Sequence, residues 1–175
     1  MSTTDEHKRH AQQSYTIEVA TISSSRYREK SNPRSPDDAD DVSGAIIVDS
    51  LRKSGHVVRY TLLSDDADMI RHWFAKAMDA DAIITTGGTG LAPGDVTIEA
   101  IRPLLGKEMP GFGEIFRARS VAEIGCAAML TRAIAGVVRG RAVFCMPGSP
   151  NAVRLGIEMI TSEIGHVIEH ARGRA

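Results

Sequence analysis

A glycine cluster followed, five residues on, by an acid is the stretch of this sequence best equipped for chemistry. Thr86-Gly87-Gly88-Thr89-Gly90 continues through Leu91-Ala92-Pro93-Gly94 to Asp95. Three glycines this close remove Cβ atoms, permit positive φ and leave backbone N–H groups free to converge on a phosphate-like anion. A bare carboxylate beside bound phosphate is repulsive, so Asp95 points to a divalent cation such as Mg²⁺ between the two. Neither common nucleotide loop fits. No Lys-Ser or Lys-Thr follows the glycines, and the G-x-G-x-x-G spacing fails at Pro93. A glycine-rich strand-to-helix turn without a ligand is the plain alternative.

The longer pattern narrows the choice. Ile83-Ile84-Thr85-Thr86-Gly87-Gly88-Thr89-Gly90, four residues, then Asp95-Val96-Thr97 resembles the signature of the molybdopterin-binding family of molybdenum cofactor biosynthesis proteins. Glu108-Met109-Pro110-Gly111-Phe112-Gly113-Glu114 and Met146-Pro147-Gly148-Ser149-Pro150 resemble that family's other two blocks, in the same order. The likeness runs from about Ile17 to the end of the last helix, and the length is similar to the short single-domain form, the molybdenum cofactor biosynthesis protein B and molybdopterin adenylyltransferase family.

The resemblance implies an enzyme that binds molybdopterin and adenylylates its terminal phosphate from Mg-ATP, releasing pyrophosphate. It makes Asp65 and Asp95 the catalytic and Mg²⁺-binding acids, since both match aspartates implicated there in Mg²⁺-dependent adenylylation. Substrate binding falls to Thr86, Gly87, Gly88, Thr89, Gly90, Ser23, Ser24, Glu114, Pro147, Gly148 and Ser149, with Glu114 near the pterin. It also implies homotrimers, sometimes paired into hexamers, and a handover to a molybdate insertion protein. A non-catalytic molybdopterin carrier or assembly protein of the same pathway is the other expectation.

The elements that must position these residues follow from composition and period. A chain of 175 residues, 42% apolar and 25% charged, suits one domain with a proper core. Net charge near −1, with no basic run, gives no footprint for nucleic acid or an anionic membrane. No apolar run approaches a bilayer span, and the polar start lacks a signal peptide's apolar segment, so a cytoplasmic protein is expected. Cys126 and Cys145 lie in apolar sequence and are expected as buried, reduced thiols.

Residues 1–14 have no period or apolar anchor and read as a flexible tail before a domain over 15–171, with 172–175 a short C-terminal tail. Tyr15–Ile22 alternates as a first strand, and 27–41 reads as a long irregular loop. Ser23, Ser24, Arg26, Asp41 and Ser43 flank that loop and could close over a ligand. Ser43-Gly44 opens a helix that stops at Gly55, His56–Leu63 is a second strand, and Asp65 or Asp66 caps a helix burying Met69, Ile70, Trp73, Phe74 and Ala77. Ala82–Thr86 is a third strand.

This strand-helix alternation predicts a parallel sheet whose ligand edge lies beyond the strands' carboxyl ends. The loops after strands one, two and three would then share one crevice, bringing Asp65 toward Asp95. Further helices are expected from Thr97 through Leu105, strained by Pro103, and over Met109–Glu123. A hairpin over 133–146 makes the sheet mixed, and a last helix repeats Val153, Ile157, Ile160, Ile164 and Ile168. The fold class is therefore α/β, a three-layer α/β/α sandwich with a mostly parallel, mixed central sheet. Ser149 suits either a helix cap or an anion contact from a helix N-terminus. Cys126–Leu130 is either core or subunit interface. His166-Val167-Ile168-Glu169-His170 spells an inverted zinc-protease motif, yet no third ligand follows it, so it reads as a polar helix face.

Overall fold

The computed structural model describes residues 14–30 and 32–174. Six strands form one sheet in the order β2-β1-β3-β6-β5-β4. β1 (Thr16–Ile22) runs parallel to both β2 (Val57–Leu63) and β3 (Ala82–Thr86), and β3 runs parallel to β6 (Arg141–Met146). β5 (Ile134–Val138) is antiparallel to β6, so the expected hairpin is present and the sheet is mixed. The two-residue β4 (Lys107–Glu108) pairs with β5 at the edge. Two exposed residues carry no alternation, which is why the sequence does not announce this strand.

The helices are α1 (Ser24–Glu29), α2 (Val42–Lys53), α3 (Ala67–Lys76), α4 (Thr97–Ile101), α5 (Pro110–Ile124) and α6 (Pro150–Ala171). They cover both faces of the sheet, because alternate strand residues feed two cores. Val19, Ile84 and Phe144 pack with Ile47 and Leu51 of α2, Phe112 and Phe116 of α5, and Ile160 and Ile164 of α6. Ala20, Ile83, Val143 and Cys145 point the other way, onto Ile70, Trp73 and Phe74 of α3 and Ile98 and Ile101 of α4. Every residue of β3 is buried, as a strand sandwiched between two helical layers must be.

Several expectations need correction. The stretch taken for an irregular loop begins inside a helix: α1 reaches Glu29, and because none of its residues is buried it has no apolar stripe for periodicity to reveal. The cap of α2 is Asp41, whose carboxylate accepts from Gly44 N at 3.0 Å, and Ser43 lies inside the helix. The helix after Thr97 stops at Ile101, and a 3-10 turn over Arg102–Leu104 takes in Pro103, which has no N–H for an α ladder.

Cys145 is buried as expected, but Cys126 is exposed on the 3-10 segment Gly125–Leu130. In that segment Ala128 alone is buried while Met129 and Leu130 face outward, so it is not core. Glu169 of the last helix is also buried, accepting from Tyr15 Oη at 3.3 Å, so the C-terminal motif is not a uniformly solvated face. Most of the N-terminal segment lies outside the described residues; Ser14 is held by its hydroxyl on Gly55 O at 2.8 Å. At the other end Arg172 pairs with Asp81, and Arg174 N donates to Glu169 O. Among the described residues no helix is long and apolar enough to cross a membrane.

Candidate functional site

The chain winds from β1 outward to β2, then returns across β1 to β3, so the loops after β1 and β3 part at the sheet's carboxyl edge. Such a reversal opens a crevice. The glycine loop fills its floor. Gly87 and Gly88 have φ of 92° and 60°, values that favour glycine. Space is as restrictive as angle: a Cβ on Gly87 would lie 2.3 Å from Ile22 O, and one on Gly88 2.5 Å from Thr97 Oγ1.

Hydrogen bonds then clamp the loop from below. Gly87 N donates to Met146 O at 3.1 Å, Thr97 N to Gly88 O at 2.9 Å, and Thr97 Oγ1 to Gly87 O at 2.9 Å. Thr86 and Thr89 are buried, and Thr86 Oγ1 donates to Pro147 O at 3.0 Å. That hydroxyl therefore tethers the end of β3 to the exit of β6. Among the described residues nothing engages the amides of Gly88, Thr89 and Gly90, which are the loop's free donors.

The two aspartates flank this loop. Asp66, not Asp65, caps α3, accepting from Asp68 N and Met69 N at 2.9 and 2.8 Å. Asp65 is thereby released toward β1, where its Oδ2 accepts from Ser24 N at 2.9 Å and Ser24 Oγ at 2.8 Å. Ser64 Oγ stands 2.9 Å from Ser24 Oγ and completes the clasp, and Ser23 N donates to Leu63 O at 2.8 Å. The other carboxylate oxygen faces the glycines, 2.7 Å from where a Cβ on Gly88 would sit. Asp95 reaches the loop from its far end. Its Oδ2 accepts from Ala92 N at 2.9 Å and lies 2.7 Å from a Cβ position on Gly90.

Both carboxylates thus border one run of main chain, Gly88 to Gly90. Among the described residues no group of three or more His, Cys, Asp and Glu side chains gathers into a metal cage. The donor set fits Mg²⁺ nonetheless, because that ion binds through one or two carboxylates and completes its shell with phosphate oxygens and water.

The third sequence block closes the rim. Gly148 packs so tightly on the loop that a Cβ there would lie 3.1 Å from Gly87 Cα, and Ser43 Oγ donates to Gly148 O at 2.8 Å. Ser149 caps α6, accepting from Ala152 N at 3.4 Å. Asp41, expected beside the ligand, serves the interior: it is 2% exposed and accepts from Tyr60 Oη at 2.8 Å. Burial, and then the hydrogen bond to Asp41, push the Tyr60 phenol well above its ordinary pKa. Arg26 turns to Asp40 O.

Glu114 is exposed on the first turns of α5 and lines a cavity of about 110 Å³ with Arg102, Glu108 and Arg117 beside Ala133–Ala135. Ile134 pairs with Cys145, so this cavity opens on the same carboxyl edge, two strands or roughly 10 Å from β3. Sequence reasoning assigned no role at the site to Ser64, Thr97, Arg102 or Arg117. Thr97 had a signal, since it ends the quoted glycine pattern; the others become neighbours of the rim only through folding.

Comparison with known proteins agrees with this layout. A family described as "Probable molybdopterin binding domain" matches residues 18–166. The chain is 41% identical over 174 residues to the molybdopterin adenylyltransferase of Pyrococcus furiosus, covering 96% of this chain and 98% of that one. It is 44% identical over 170 residues to molybdenum cofactor biosynthesis protein B of Halalkalibacterium halodurans, covering 94% of each. The crystal structure of the tungsten cofactor synthesizing protein MoaB from Pyrococcus furiosus superposes with a TM-score of 0.82 at 41% identity, over 93% of this chain and 99% of that one. With a family match over residues 18–166 and relatives above 40% identity over nearly its whole length, the chain belongs to the molybdopterin-binding-domain family of molybdenum cofactor biosynthesis.

Proposed function

We propose that this protein adenylylates molybdopterin: an oxygen of the pterin's terminal phosphate attacks the α-phosphorus of ATP, the bond to the β-phosphate oxygen breaks, and pyrophosphate leaves. The observation that carries this reading is the meeting of Asp65 and Asp95 on either side of the free Gly88–Gly90 amides. Phosphoryl-type transfers depend on positioning and charge neutralisation rather than on a protein nucleophile. A cradle of main-chain donors between two acids supplies both. The amides of Gly88, Thr89 and Gly90 would hold phosphate oxygens without a conformational search, since Thr97, Met146 and Gly148 already brace the loop. Asp65 and Asp95 would hold Mg²⁺, whose charge offsets the crowded phosphates when bound. Ser24 keeps one oxygen of Asp65 occupied, so the other presents a single orientation. The cavity at Glu114 borders the start of β5, two strands from β3 at the same edge, and would take the pterin while the phosphate sits on the glycines.

The test is AMP transfer from ATP to molybdopterin by the purified chain, with and without Mg²⁺. Transfer should require Mg²⁺ and fall by at least about 100-fold in Asp95→Ala and in Asp65→Ala. Wild-type rates in both variants would refute the assignment, and molybdopterin binding without AMP transfer would identify a carrier instead. Self-association into trimers or hexamers belongs to the same proposal. It is supported by the outward Ile115, Val121, Ile124, Met129 and Leu130 along α5 and the 3-10 segment after it. Handover to a molybdate insertion protein would follow as the next step.

A further inference from the structure

Thr97 lies ten residues beyond Gly87, yet the glycine loop folds back onto it. It opens α4 and is fully buried. Its hydroxyl donates to Gly87 O at 2.9 Å, and its backbone N–H donates to Gly88 O at 2.9 Å. The first N–H groups of a helix have no intrahelical acceptor, which leaves that amide available to the loop. Two consecutive carbonyls are therefore drawn inward by one buried residue.

A trans peptide is planar, and its C=O and N–H point in opposite directions. Among the described residues no peptide is cis. Gly87 O shares a plane with Gly88 N–H, and Gly88 O shares one with Thr89 N–H. Turning both carbonyls toward Thr97 thus turns both amides away from the interior, out toward the crevice. The positive φ of Gly87 and Gly88, 92° and 60°, lets successive planes hold this course. Neighbouring N–H groups facing one concavity make an anion nest. Gly87 N–H is not part of it, because it donates to Met146 O at 3.1 Å.

We infer that Thr97 is the positioning residue that aims the amides of Gly88 and Thr89 at a phosphate group, its hydroxyl setting the first and its backbone N–H the second. The inference rests on the phosphate-binding reading of the glycine loop and sharpens it, since Thr97 acts from beneath the loop without touching the ligand. Valine at this position keeps the shape and the bond to Gly88 O but removes the donor to Gly87 O. The Gly87–Gly88 peptide then loses its anchor, and a carbonyl that had a partner is left without one. Serine keeps the donor.

The experiment is titration of the ¹⁵N-labelled full-length chain with inorganic pyrophosphate in MgCl₂, followed by amide NMR and by calorimetry, with no pterin present. Saturable binding is expected, with the Gly88 and Thr89 resonances shifting and that of Gly87 moving less. Thr97→Val should weaken binding by about tenfold or more and remove the Gly88 shift while leaving that of Thr89, whereas Thr97→Ser should stay within about threefold of wild type. A purely structural role for Thr97 would not separate the two amides in this way. No saturable binding by the wild-type chain, Gly88 and Thr89 resonances that stay put at saturation, or wild-type affinity in Thr97→Val would each overturn the inference. Should Thr97→Val not fold, the wild-type shifts and Thr97→Ser decide alone. Pyrophosphate binding with these shifts but no AMP transfer to molybdopterin would sink the transferase reading and leave the role of Thr97 standing.

Discussion

The carboxyl edge around the glycine loop and the flank formed by α5 with the segment after it are built on opposite terms. At the edge, polar groups are tied to one another within the chain: Thr86 to Pro147, Thr97 to Gly87, Ser24 to Asp65, Ser43 to Gly148. On the flank, large apolar side chains point outward, with Met129 80% exposed and Leu130 58%. The first region completes itself, so its free amides can wait in place for a ligand. The second has unburied apolar surface that a second copy would cover. On the proposed function, preorganisation and association would fall to different parts of one small domain.

The largest break in that contrast should come from Gly88→Ala. The new Cβ would meet Thr97 Oγ1 and Asp65 Oδ1 at 2.5 and 2.7 Å on a residue with φ of 60°, so the loop must move. A displacement of about 1 Å at a reacting centre costs on the order of 100-fold, and single-turnover AMP transfer should fall by that much. Near-normal rates would mean the edge is not the rigid part.

Next in size is Tyr60→Phe, which strips a donor from the buried Asp41. Denaturant unfolding should show a loss of about 1–3 kcal/mol. The phenol also gives a pH signature. Its folded pKa is raised above the unfolded value, so its contribution is intact below about pH 10 and is lost as pH climbs through the higher folded pKa. The Phe variant should lack that alkaline component.

On the flank, Leu130→Asp should leave single-chain stability within about 0.5 kcal/mol while light scattering reports a smaller particle. An unchanged mass would remove this surface from the assembly. The smallest effect is a difference between thiols. Burial pushes Cys145 up to about 12, so the native chain should titrate a single thiol, the exposed Cys126, with an aromatic disulfide reagent at pH 8, and two after unfolding.

Particular residues show how far the sequence could be read. β3 and the glycine loop were legible because a buried strand is a continuous apolar run and a ligand loop of this kind is a local glycine pattern. The choice between Asp65 and Asp66 as helix cap was open in one dimension, and closed only when Ser24, at the start of α1, came to hold Asp65. α1 was invisible because it buries nothing, and β4 because two residues have no period. Cys126 misled for a related reason: apolar neighbours signal burial somewhere, without saying whether the cover is this chain or another.

The sequence by itself determined the α/β class, the loop that could seat a phosphate, and the acid that follows it. Each is encoded by neighbours a few residues apart, where steric freedom and period act directly. Only the tertiary structure decided which oxygen of Asp65 faces the glycines and that Ser43 braces Gly148. Ser24 and Asp65 are 41 residues apart and Ser43 and Gly148 are 105 apart. Contacts of that span exist only once strand order and helix packing have fixed which loops share an edge, and no local preference of the chain carries that information.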